Sequence, residues 1–348
     1  MIKKKICFVI TKSEVGGAQK WVKEQIDILH QHGYQCYLST NSPGWLTQNS
    51  KGNYHTDKRI EKRTSIGYLL SLRKYLTNNK IDLVIGNSAN GGIYSRLVTI
   101  FSKRKCIYVS HGWSSVYNGG KLKFLFNWIE KMLSVISDKI LCVSSNDYQI
   151  ALHQIGISPK KLSVIPNKIF PVSESNVLNT KKSNKFTILF LGRLAPPKSP
   201  IPIIEAIKDS EAFELDIVGS GPDYQHVEKY IKDKSINNAR LLGEIKNFNT
   251  FSSYHIFCLI SKSEGLPLSA VEALSCGLPI LISNVGGCPE LVNNNGYLTN
   301  NTPTDILKGL QLIEENYTTF CLNSKKLFAE KFDLSVNYKK YINLYENV

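Results

Sequence analysis

Short apolar runs, each about one strand long, recur along the whole chain, and stretches with helical spacing lie between them. These runs predict strands over 6–11, 35–40, 83–87, 106–111 and 139–144. A second series follows over 187–191, 214–218, 240–242, 256–260 and 279–283. In the first intervening helix Val22, Ile26 and Leu29 fall at i, i+4 and i+7, and Gly33 follows as a stop signal. Strands apolar throughout, alternating with helices, predict an α/β chain with parallel sheets covered on both faces. One segment breaks the alternation. Residues 171–185 are polar, rich in Ser, Asn and Lys, and read as a linker. The expectation is therefore two Rossmann-like domains, 1–170 and 171–333, a division that the length of 348 residues accommodates. Ligands of open parallel sheets bind at the carboxyl ends of the strands, so two such domains facing an interdomain cleft would direct their loops into it.

Composition narrows the class. No apolar run approaches the roughly 20 residues that span a bilayer. The basic start, Lys3 to Ile10, is cut short by Thr11, Lys12, Ser13 and Glu14 and reads as a first strand rather than a leader, so a cytoplasmic location is expected. Eight cysteines show no C-x-x-C pair and sit mostly in apolar runs, as reduced core thiols do. The net charge is +15, and all of it lies in the first half. Residues 1–170 hold 25 basic against 9 acidic side chains, whereas the remainder holds 18 against 19. Such a field suits an anionic partner: a membrane surface, a lipid pyrophosphate or nucleic acid. It also suits a merely well-solvated surface.

Several loops could carry chemistry. Ser263-Glu264-Gly265-Leu266-Pro267-Leu268 links a strand to a helix, with Pro267 expected at the first helical position. Backbone N–H groups at such a start attract anions, and Glu264 and Glu272 on either side could accept sugar hydroxyls. Taken alone, this spacing also fits a plain helix start with two surface glutamates. Arg193 and Lys198 follow another strand across Pro196-Pro197, where two cations could hold a diphosphate. Gly16-Gly17 and Gly219-Ser220-Gly221 are further strand-to-helix glycine loops, and neither is G-x-G-x-x-G. His111 ends a predicted strand. No D-x-D is present, so a divalent-metal diphosphate clamp has no candidate and no cofactor is expected.

In order, these segments resemble glycosyltransferase family 4, a retaining family with the GT-B fold. The resemblance runs through Gly16-Gly17-Ala18-Gln19, Val164-Ile165-Pro166-Asn167, Gly192-Arg193-Leu194 to Lys198, and Val218-Gly219-Ser220-Gly221-Pro222. It continues through Glu264 to Glu272, Gly286-Gly287, Pro289-Glu290 and Asn295-Gly296. It implies that Arg193 and Lys198 bind the donor diphosphate and that Glu272 holds the ribose. Glu264 would contact the transferred sugar, with Gly265, Leu266, Pro267 and Leu268 around it. Gly16, Gly17 and Gly219 would lie close to the donor, and His111 would face sugar and acceptor. It further implies retention without a metal, and a helix over 334–348 crossing back to the first domain. Ser199-Pro200 departs from the glycine that usually follows the lysine.

The first domain also resembles enzymes of capsule and O-antigen assembly, through His111-Gly112-Trp113, Trp128 to Lys131 and the stretch 138–147. This implies a UDP-hexose or UDP-HexNAc donor and a glycan or polyprenyl-pyrophosphate-linked acceptor. Lys121, Lys123, Phe124, Leu125, Phe126 and Trp128 mix cations with apolar side chains. They suggest peripheral contact with the inner face of the membrane, or else a buried helix with a basic outer face. Other GT-B chemistry, an epimerase or a phosphorylase, is the alternative. A basic nucleic-acid-binding protein is more distant, since no recognition module is present.

Overall fold

The computed structural model describes residues 3–100, 102–113, 120–173 and 185–348. The first unit comprises Met1–Asn167 with Leu334–Val348, and the second comprises Lys168–Asp333. Of the expected linker 171–185, residues 174–184 lie outside the described residues.

The first unit is built on β1 (Lys5–Ile10), β2 (Gln35–Thr40), β3 (Asn53–Thr56), β4 (Leu83–Asn87), β5 (Lys105–Ser110), β6 (Lys139–Cys142) and β7 (Leu162–Val164). They pair in parallel in the order β3-β2-β1-β4-β5-β6-β7. The continuous apolar run of β1 has the burial expected of a central strand, with Ile6 to Ile10 all fully covered. Cys7 and Val9 pack under Tyr68, Leu72 and Leu76 of the helix Ile66–Asn78. Tyr108 and Trp113 form a second cluster with Ile140 and Cys142. The first helix, Gly17–Gln31, buries Val22, Ile26 and Leu29, and Gly33 leaves it at φ +78°, the left-handed geometry of a helix stop.

The second unit holds β8 (Phe186–Leu191), β9 (Phe213–Val218), β10 (Ala239–Gly243), β11 (Ile256–Leu259), β12 (Ile280–Ser283) and β13 (Gly296–Thr299). They are parallel, in the order β10-β9-β8-β11-β12-β13. β3, β7 and β13 were not apparent in the apolar pattern. Each is a short strand at or beside a sheet edge, with partly exposed, polar or weakly apolar side chains.

The C-terminal segment forms two short helices, Leu334–Asn337 and Lys339–Glu346, packed on the first unit. Tyr341 and Tyr345 are fully buried there. The Tyr345 hydroxyl donates to Gln25 at 2.8 Å, and the Lys4 ammonium donates to the carbonyls of Tyr345 and Glu346 at 3.1 and 2.8 Å. Lysine at the last carbonyls of a helix also suits its dipole. Among the described residues, no helix is long and apolar enough to cross a membrane. Six of the cysteines are buried, and burial pushes the Cys106 thiol up to about 11, as for an inert core thiol.

Candidate active site

The strand orders locate a crevice in each unit. An open parallel sheet binds ligands where its strand order reverses, beyond the carboxyl ends of the two strands concerned. In the second unit the reversal falls between β8 and β11. The loops leaving those strands carry Gly192 to Lys198 and Ser261 to Leu268. Backbone bonds fasten the two loops together. Ser199 donates to Ile260 O at 3.0 Å, Lys262 donates to Pro197 O at 3.0 Å, and Lys198 and Ser261 form a single bridge. The Lys198 ammonium thereby forms an ion pair with Glu264, and their side chains keep only 21% and 11% of their exposure. Arg193 is exposed on the same loop and makes no ion pair among the described residues.

Three glycines make this close packing possible. A Cβ on Gly219 would stand 1.9 Å from the Gly192 carbonyl oxygen, and one on Gly221 would stand 2.3 Å from that of Leu194. Leu194 N–H donates to Ser220 O at 2.8 Å, which ties the loop after β9 to the loop after β8. Behind Glu264, Gly286 at φ +54° leaves 1.7 Å between a hypothetical Cβ and the Glu264 carbonyl oxygen, and Gly287 donates to Gly265 O at 2.8 Å. Only glycine fits such contacts with positive φ. The Glu264 backbone is therefore clamped while its carboxylate faces Lys198.

Gly265, Leu266, Pro267 and Leu268 are buried. One detail differs from the sequence reading: Pro267 is the cap, at φ −68° and ψ 118°, and the helix begins one residue later, as Leu268–Ser275. An extended ψ places Pro267 outside the first turn, where its fixed φ still serves. Glu272 lies half-buried in that helix.

In the first unit the order reverses between β1 and β4. Gly16, extended at φ −175°, precedes the helix that Gly17 opens, and a Cβ on Gly17 would meet open space. One turn on, the fully buried Trp21 sets its ring edge-on to His111, with centroids 5.3 Å apart. His111 stands one residue past the end of β5, and its Nε2 is 2.9 Å from Asn87 Oδ1. The Asn87 amide nitrogen donates to Ile85 O at 3.2 Å, so its oxygen must face the imidazole. Nε2 then carries the proton, leaving Nδ1 as an acceptor. Burial lowers the His111 pKa to about 4, so the ring is neutral near pH 7.

Beside it Ser88 adopts φ 63° and ψ 171°, a conformation that non-glycine residues rarely take. Its hydroxyl meets Thr11 N at 3.1 Å and Thr11 Oγ1 at 2.7 Å, and Gly91 N–H donates to Thr11 Oγ1 at 3.2 Å. Thr11, Asn87 and Ser88 are not among the candidate site residues named from the sequence. They are polar residues at the ends of β1 and β4, and only the pairing of these two strands at the reversal gives them a place in the site.

Comparison with known proteins places the chain in a family. The model for glycosyltransferase family 4 matches residues 15–169, and that for glycosyl transferases group 1 matches residues 174–329. The O-antigen biosynthesis glycosyltransferase WbnH of Escherichia coli is 39% identical over 318 residues, spanning 91% of this chain and 92% of that protein. The UDP-Gal:alpha-D-GlcNAc-diphosphoundecaprenol alpha-1,3-galactosyltransferase of Escherichia coli is 28% identical, over 84% of this chain and 83% of that one. Among solved structures, Anabaena HepE in complex with UDP and glucose superposes with a TM-score of 0.86 at 18% identity, covering 99% of this chain and all of that one. The chain belongs to the family 4 glycosyltransferases and has their GT-B fold of two Rossmann-like, parallel-sheet domains.

Proposed function

We propose that this glycosyltransferase moves a hexose or N-acetylhexosamine from a UDP-sugar to a polyprenyl-pyrophosphate-linked glycan in the assembly of a bacterial surface polysaccharide, with retention at the anomeric carbon and without a metal. The carrying observation is the Lys198–Glu264 pair beside the exposed Arg193 at the strand-order reversal of the second unit. A diphosphate needs cations on rigid loops, and a sugar needs a fixed carboxylate acceptor next to it. The relative that names a UDP-galactose donor and a diphosphoundecaprenol acceptor supports the choice of substrates, and the O-antigen enzymes support the pathway class.

In this reading Arg193 and Lys198 bind the diphosphate, Glu272 the ribose hydroxyls and Glu264 the transferred sugar. The bond from the anomeric carbon to the phosphate oxygen breaks, and its electron pair leaves on UDP. The acceptor hydroxyl oxygen bonds to the anomeric carbon on the same face, and its proton passes to the departing phosphate oxygen. Gly16, Gly17 and Gly219 keep side chains away from the donor. His111 offers Nδ1 as an acceptor to a hydroxyl of sugar or acceptor.

A donor screen by thermal shift tests the reading, because a ligand bound only by the folded state raises the melting temperature. At least one UDP-sugar is expected to raise it, and Glu272→Ala to abolish the rise. No response to any UDP- or GDP-sugar, with Glu272→Ala indistinguishable from the parent, would sink it. The anomeric proton coupling of the product reads retention directly.

A further inference from the structure

The helix Lys123–Val135 is turned the opposite way from an ordinary surface helix. Its two buried residues are polar, Asn127 and Ser134, and Glu130 on that side pairs with the fully buried Arg96 at 2.9 Å. Its outer face is apolar. Phe124, Leu125, Trp128, Met132 and Val135 are 86%, 48%, 56%, 52% and 67% exposed. At 100° per residue these five fall within one arc of about 100°. The expectation of a buried helix with a basic outer face does not hold, since the two buried residues are polar and the outer face is apolar. Phe126, Ile129 and Leu133 turn away from the stripe and are half-buried, Phe126 with the Arg63 guanidinium 5.9 Å over its ring.

We propose that this face is a docking surface for an anionic bilayer, on which the helix lies flat in the headgroup region. Contiguous apolar patches of this kind mark interaction sites. The surrounding charge selects the occupant. Lys131 is exposed at the edge of the stripe, and Arg63 flanks the same helix on its Phe126 side. The chain's whole positive excess lies in residues 1–170. Anionic headgroups complement an apolar stripe rimmed by cations. A second copy of the same face would instead bring like charges together. The helix crosses from β5 to β6, so its first turn lies toward the carboxyl edge of the sheet, the edge that also carries His111. This deepens the reading above, because a lipid-linked acceptor is met at a membrane surface, but its evidence is the helix itself.

Trp128 supplies the readout, since Trp21 and Trp113 are buried and Trp45 is half-buried. The full chain is mixed with vesicles of phosphatidylcholine alone, or of phosphatidylcholine and phosphatidylglycerol in equal parts. The anionic vesicles are expected to co-sediment the protein and shift its tryptophan emission to the blue, and added salt to weaken both effects. The double variant Phe124→Ser, Trp128→Ser should lose at least about tenfold in partitioning, and Lys131→Glu should lose binding at low salt only. All these positions are exposed, so melting temperature and the response to UDP-sugars should stay unchanged. Equal binding to both vesicle types, or full binding by the double variant, overturns the proposal. So does a concentration-dependent dimer that the double variant abolishes. A protein that binds vesicles but no UDP-sugar would retire the proposed reaction and leave the docking surface standing.

Discussion

The two strand-order reversals hold their functional side chains in opposite ways. In the second unit the groups are charged, and backbone fixes them: Lys198 and Glu264 sit on loops clamped through Gly219, Gly221 and Gly286. In the first unit the convergent groups are uncharged, and side chains fix them: His111 is set by the Asn87 amide and the Trp21 ring. In the proposed reaction the difference follows from what each would bind. A diphosphate leaving with negative charge needs preorganised cations that do not move. A hydroxyl needs only a neutral acceptor at the right place, which a desolvated imidazole provides.

The largest expected effects test the charged side of this contrast. Lys198→Ala, Arg193→Ala and Glu264→Ala should each lower kcat/KM by about 10²- to 10³-fold, the usual cost of losing one group that meets transition-state charge. The double variant at Lys198 and Glu264 should lose less than the product of the single losses, because the two touch. If Lys198→Ala stays within threefold of the parent, the ion pair only fastens loops, and the contrast between the two units collapses.

A smaller effect separates the two kinds of glycine. Gly286→Ala would put a Cβ 1.7 Å from a carbonyl oxygen at positive φ, and should cost about 3 kcal/mol in urea unfolding. Gly17→Ala meets open space and should change stability by under about 0.5 kcal/mol. Because that space is where the proposed donor lies, KM for the donor should nonetheless rise. Unchanged KM would make Gly17 a simple helix start.

How much of this was legible beforehand follows the same division. Arg193, Lys198, Glu264 and the glycines around them lie in short, contiguous strand-to-helix loops, so local spacing and family pattern both marked them. The central strands announced themselves as unbroken apolar runs, because both of their faces are covered. Asn87 and Ser88 did not stand out, since their meaning depends on β1, β4 and β5 lying side by side, a long-range fact that no local window contains. The outward apolar face of Lys123–Val135 was half legible. Mixed cations and aromatics were visible in the sequence, but amphipathicity cannot say which face a helix buries. Asn127, Ser134 and the Arg96–Glu130 pair decide that here.

The subtlest prediction concerns the neutral side of the contrast. An ordinary histidine titrates near 6.5, whereas His111 in the folded chain titrates near 4. Between those values the unfolded chain binds the proton and the folded chain does not. Stability therefore rises with pH across that window and is lost as pH falls through it. Above about 6.5 both states are neutral there, and His111 adds no slope. Removing the group in His111→Asn should flatten the stability profile from pH 6.5 down to 4 by up to about 1.4 kcal/mol per pH unit. His30 and His55, which burial also lowers, should leave a residual slope in the same direction. Asn87→Asp should act oppositely. A carboxylate at the Asn87 oxygen position, 2.9 Å from Nε2, favours the charged ring and should bring its titration back toward neutral pH, visible as a new inflection in the imidazole resonances and in kcat/KM. A His111→Asn profile that matches the parent, together with no new inflection in Asn87→Asp, would mean that water reaches the ring freely. The neutral, oriented acceptor would then have no basis.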